Sequence, residues 1–181
     1  MKRIIILSAI ILLIGFKTYA QDKKITRTGT IIFEASVPSF EEVKAKNESV
    51  TCILNTKTGE IASLVLMKAF RFKVALMEEH FNETYVESDK YPKATLKGII
   101  QGFNMNSIAS EPREFKMNGI LELHGKSKEI NIVITLRKVN DAIEISSNFN
   151  VNSDDFNIEI PQMLTKKVSK KVNIKTNFEL K

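Results

Sequence analysis

Apolar and polar residues alternate with a period of two along most of this chain. The pattern is clearest at the C-terminal end, KVNIKTNFELK, where Val172, Ile174, Phe178 and Leu180 share one face and Asn173, Lys175, Asn177 and Glu179 the other. Successive side chains of a strand point to opposite sides, so this segment reads as a strand with one buried face. KEINIVITLRK repeats the pattern with Ile130, Ile132, Ile134 and Leu136, and AIEISSNFNV with Ile143, Ile145, Phe149 and Val151. Between them Asn140-Asp141 supplies residue types that tolerate the positive φ of a tight hairpin. FKMNGILELH sets Phe115, Met117, Leu121 and Leu123 on one side, and HGKSKE, with Gly125, makes the turn into the Ile130 strand. Further strands are predicted over 28–36, 48–55, 60–70 and 93–103, with Gly59 in the turn between the second and third, which makes eight in all.

Three segments break the alternation. PSFEEVKAKN (38–47) has Ser39 three residues before Glu42, a capping-box spacing that predicts a short helix with Phe40 and Val43 tucked beneath it. FKVALMEEHFN (72–82) pairs Phe72 with Leu76 and Met77 with Phe81 at i, i+4, which predicts a second helix. PQMLTKKVS (161–169) is a third, weaker helix or turn. Eight strands with short local connections predict an all-β protein: an eight-stranded antiparallel up-and-down barrel carrying one to three short helices. Closure leaves no exposed strand edge, and a barrel of this size is just wide enough for packed side chains or one slender ligand. A sandwich of two open sheets is the alternative.

The first twenty residues are a separate object. Lys2 and Arg3 precede the apolar run Ile4–Phe16, and KTYA ends in the small residue Ala20. This is the plan of a Sec signal peptide. The run has thirteen residues, short of the roughly 20 needed to span a bilayer. The expected division is therefore a signal peptide, 1–20, and a mature barrel domain, 21–181, that is periplasmic or secreted and keeps no stable membrane span. With Lys2, Arg3 and Lys17 removed, 24 basic residues face 21 acidic ones, so the formal charge of +6 falls to +3. Nucleic-acid binding calls for a concentrated basic face, whereas these lysines alternate with Glu and Asn on strand exteriors; the one cluster, KKVSKK (166–171), reads as a solvated face. No nucleic-acid partner is expected. Cys52 is the sole cysteine, so no intrachain disulfide can form, and within VTCIL it packs as a small hydrophobe.

Candidate chemistry centres on HFNETYVESDKYPKATLKG, 80–98, where His80 lies among Glu78, Glu79, Asn82 and Glu83. A metal site needs several ligands at spacings one element can present, and the other histidine, His124, is forty-four residues away. No phosphate loop, nucleophile elbow or Cys/His pairing occurs. Neither metal, cofactor nor catalytic residues are expected. The stretch reads instead as a helix end and a connector; Pro92 forbids further helix and biases Tyr91 to extended geometry before the next strand. Such a crossing belongs at a barrel rim.

LMEEHFNETYVESDKYPKATLKG, then LELHGKSKEINIVITL, then SDDFNIEIP resemble the YceI-like family of exported, lipocalin-like proteins, over nearly all of the mature chain. The specific parts are the His80 helix followed by Tyr91-Pro92-Lys93-Ala94-Thr95, and the Leu123-His124-Gly125 turn. HFNE and ESDKYP resemble the Bacteroidetes-type variant and replace the Arg-Asp and Phe-Phe pairs of the commoner form. The resemblance implies a long apolar cavity for a polyisoprenoid or similar amphiphilic lipid, a quinone tail or an isoprenyl diphosphate among them. The strand faces offer Phe33, Val65, Met67, Leu96, Met117, Leu121, Ile132, Ile145 and Phe149 as its lining, and Arg71, close to a rim where the third strand passes into the second helix, is expected ahead of His80 at a charged head group. The function expected is therefore non-catalytic lipid binding or carriage. The rivals are an envelope interaction module with a filled core and a lipid-acting enzyme with His80 as base; a homodimer is left open.

Overall fold

The computed structural model describes residues 22–181; the expected signal peptide lies outside them. The chain forms β1 (Lys23–Ser36), β2 (Lys44–Asn55), β3 (Glu60–Leu66), β4 (Arg71–Phe72), helix α1 (Ala75–His80), β5 (Lys93–Ile100), β6 (Arg113–Leu123), β7 (Lys126–Val139), β8 (Ala142–Asn152) and β9 (Val168–Leu180). The strands hydrogen-bond in the order β1-β9-β8-β7-β6-β5-β3-β2, and β1 pairs with β2, so eight antiparallel strands close into a barrel. Two-residue β4 adds a short pairing outside that ring, Ala45↔Phe72 and Lys46↔Arg71. The helical content is α1, extended by a π-helical turn over Phe81–Tyr85, together with single 3₁₀ turns.

The helix expected over 38–47 is not formed. Ser39 takes φ 73° in a tight turn, and β2 is already running at Lys44, paired through Phe33↔Ala45 and Glu34↔Lys44. Asn47 hid this strand, because its polar side chain faces inward. It is 1% exposed, and it donates to the Leu66 carbonyl at 3.1 Å while accepting from the Ser49 N–H at 2.9 Å. A buried polar group so satisfied costs little. The second helix begins at Ala75 rather than at 72, because Phe72 pairs with β2; Leu76 then faces solvent. Over 161–169 only one 3₁₀ turn forms, at Gln162–Leu164. The strand expected to run to Phe70 ends at Leu66, where a 3₁₀ turn over Met67–Ala69 carries the chain off the sheet.

The barrel has one packed end. Leu54, Leu136, Ile143 and Leu180, where β2, β7, β8 and β9 approach the short turns and the C-terminus, are at most 1% exposed. Cys52, on the inner face of β2, is fully buried. Desolvation pushes its thiol up from 9.0 to about 12, opposed only in part by a hydrogen bond with the Ile53 backbone. Between about 9.0 and 12 the unfolded chain releases this proton while the folded state keeps it, so stability present below that window is lost as pH rises through it. In near-neutral buffer a thiol-alkylating reagent is expected to leave native Cys52 unmodified and to modify it fully in denaturant, read by intact mass. Rapid labelling of the native protein would show that this end opens.

Candidate functional site

Away from that packed end, the inner face is hollow. Ile31, Phe33, Ser63, Leu96, Phe149 and Ile174 all point inward, yet each is only half-buried, because it looks onto empty space rather than onto a facing side chain. The void is a cavity of about 330 Å³, within the range of small-ligand sites. Its wall is formed mostly by aliphatic and aromatic side chains; the hydroxyls that interrupt it include Ser63 and Ser147, whose Oγ lies 2.8 Å from Thr176 Oγ1. The cavity reaches the surface at the end opposite the packed one, where the exposed residue His80 joins the wall with Met77, Leu164 and Val168.

An aromatic block stands at this mouth. Phe33 on β1 stacks on Phe81 at 5.2 Å, and Phe70 and Phe72 meet both rings edge-on or tilted at 5.2–5.8 Å. Phe81 reaches the block because α1 widens into its π-turn there, with the Val86 N–H donating to the Phe81 carbonyl at 2.9 Å. Such widened turns recur at functional sites.

The other side of the mouth is held by a polar staple that joins the two sequence signatures. His124 and Gly125 form a two-residue hairpin turn, with φ 51° and 70°, the positive-φ geometry that matches strand twist. A Cβ on Gly125 would lie 2.7 Å from Tyr91 Cε1, so only glycine admits that ring. The His124 imidazole sits edge-on to Tyr91 at 4.4 Å. Its Nδ1 donates to the Phe156 carbonyl at 3.0 Å, and its Nε2 faces Glu87 Oε2 at 2.9 Å. The staple ties the chain after α1, the β6–β7 turn and the β8–β9 connection into one rim.

All nine residues expected as lining lie in the cavity wall: Phe33, Val65, Met67, Leu96, Met117, Leu121, Ile132, Ile145 and Phe149. His80 lies there too, at the mouth. Arg71 lies outside the wall. Its Nη1 donates to the Lys68 and Phe70 carbonyls at 2.9 and 3.1 Å and to Glu78 Oε1 at 2.8 Å. Its neighbours are also paired, Lys68 with Asp89 at 2.5 Å and Lys73 with Glu42 at 2.6 Å. The Lys73 ammonium holds the Glu42 carboxyl below the usual carboxylate range. Sequence reasoning missed Tyr85, Val86, Ile158 and Leu164, which also line the cavity. They come from irregular segments, where no periodicity marks an inward face.

Comparison with known proteins agrees with this geometry. The family model described as YceI-like domain matches residues 19–180. This chain belongs to the YceI-like family. Among solved structures it is similar to a polyisoprenoid binding domain from Saccharophagus degradans implicated in plant cell wall breakdown, with 12% identity, TM-score 0.76, and coverage of 90% of this chain and 99% of that one. BcnA of Burkholderia cenocepacia is similar at 14% identity and TM-score 0.68, over 82% of this chain and 94% of that one. The Campylobacter jejuni YceI protein is similar at 16% identity and TM-score 0.60, over 80% and 89%. None of the curated proteins matches the chain in sequence.

Proposed function

We propose that this barrel is an exported, non-catalytic carrier that shelters the chain of a long isoprenoid or similar amphiphilic lipid and leaves its head group at the mouth. The observation that carries the reading is the hollow apolar interior. Inward side chains such as Phe149 and Ile174 leave about 330 Å³ unfilled, and apolar chain placed there leaves water at about 25 cal/mol per Å². Met67, Met77 and Met117 give part of the wall a flexible surface that suits a floppy ligand. The similarity to a polyisoprenoid binding domain supports the ligand class. The filled-core rival requires a barrel without this void.

The head group would rest beside His80, the ionisable side chain that the mouth presents together with Tyr85. For Arg71 to take part, its pairing with Glu78 must open first. The protein purified from its exporting host, extracted with organic solvent and examined by mass spectrometry, is expected to yield a prenyl lipid. Emptied protein is expected to take up a detergent-solubilised prenyl alcohol at one per chain. Protein that comes out empty and binds none overturns the reading.

A further inference from the structure

We propose that the mouth rim is a membrane-docking surface, on which the barrel settles on a lipid bilayer with its cavity facing the acyl chains. The inference rests on the lipid-carrier reading and extends it to how an insoluble ligand is collected.

Three segments meet at the mouth: the 37–43 turn, the chain from Lys73 into α1, and the 161–167 connection before β9. Glu42 bonds Lys73 at 2.6 Å, which sets the turn beside α1, and Ser36 pairs with Val168, which sets it beside the connection. Each segment contributes inward residues to the cavity wall, Val43, Met77 and Leu164. Each also turns a large apolar residue outward. Phe40 is 47% exposed, Leu76 56% and Met163 88%. Single exposed apolar residues need no explanation, but several around one opening mark an interaction surface.

Position and charge select the partner. The rim surrounds the entrance of a cavity built for a hydrocarbon chain, so a surface that holds such chains is continuous with it. Lys166 and Lys167 stand in the same connection as Met163, exposed, and among the described residues neither pairs with a carboxylate. These two lysines, the part of the 166–171 cluster that precedes β9, thereby acquire a role. Shallow apolar insertion beside cations is the two-signal arrangement by which peripheral proteins hold an anionic bilayer. Glu41 and Glu79 are also exposed near this rim, and they limit the attraction to a weak, reversible one suited to loading and release.

The test is flotation with vesicles of phosphatidylcholine alone and with added phosphatidylglycerol. Wild-type protein is expected to float with the anionic vesicles and to be released by salt. The triple variant Phe40→Ser, Leu76→Ser, Met163→Ser should lose at least tenfold in bound fraction, as should Lys166→Glu with Lys167→Glu. None of these residues lines the cavity, so every variant should still take up prenyl alcohol from detergent as wild type does while extracting it more slowly from vesicles. That split separates failure of docking from failure of the carrier reading. Wild-type protein that does not float, or a triple variant that floats equally well, overturns the proposal. So does a concentration-dependent dimer that the triple variant abolishes, which would make the rim a contact between copies of this chain.

Discussion

Gly98→Val is expected to destabilise the barrel by about 3 kcal/mol or more, although a valine suits a strand better than a glycine does. Gly98 on β5 and Gly119 on β6 are direct partners, and both face inward. A Cβ built on Gly98 would lie 2.6 Å from the Asn118 carbonyl oxygen, and one on Gly119 would lie 2.6 Å from that of Lys97. These obstacles are backbone, with no side chain to swing aside. Either strand would have to part from the other and give up ladder hydrogen bonds. Facing glycines are how a closed sheet turns its corner. In a domain of this size each kcal/mol is worth roughly 2–4 °C in Tm, so a fall of about 6–12 °C is expected by scanning calorimetry. Gly102→Ala is the control. That residue has φ +65° but nothing within 4 Å of an added Cβ, so only its left-handed backbone is penalised, by about 1 kcal/mol. Equal Tm values for Gly98→Val and wild type would mean that the strands do not approach as described.

How far the sequence could be read follows from where each residue sits. Strands with one face in the interior and one in water carry their pattern openly, and Ile130, Ile132, Ile134 and Leu136 or Val172, Ile174, Phe178 and Leu180 mark β7 and β9 without ambiguity. Period two also says which side chains face inward, which is why the expected lining residues fall on one surface. It does not say whether those side chains meet in the middle. Leu136 and Phe149 look alike in the sequence, yet the first is fully buried and the second borders the void. The difference lies in how far each stands from the packed end.

Local rules misled where a tertiary contact outweighed them. The Ser39 and Glu42 spacing suits a helix cap, but Ala45 and Asn47 have places inside the barrel, and closure of β1 on β2 fixes them there. In the sequence His80 stands out as a histidine among carboxylates. His124, which the sequence shows only as part of a tight turn, is the histidine with defined partners on both ring nitrogens. Those partners, Glu87 and Phe156, are 37 and 32 residues away. No local pattern joins positions that far apart.

Ser63→Trp is expected to abolish lipid binding while leaving the barrel folded. Ser63 points inward from the middle of β3, opposite Leu96 on β5, and it is half-buried because the cavity lies over it. An indole at this position would occupy space that the ligand chain needs. Losing roughly 100–150 Å² of buried chain forfeits about 2.5–4 kcal/mol, or on the order of a hundredfold in Kd, before any clash is counted. Because the indole fills a void rather than a packed region, Tm should hold or rise, as it does for cavity-filling changes elsewhere, by about 0.5–2 kcal/mol of stability. Ser63→Ala removes the hydroxyl and leaves the space, so it should bind as wild type does. The measurement is titration of emptied protein with a fluorescent prenyl alcohol, beside a thermal melt of each variant. A folded Ser63→Trp protein with wild-type affinity would place the ligand outside the barrel, and the hollow interior would then need another explanation.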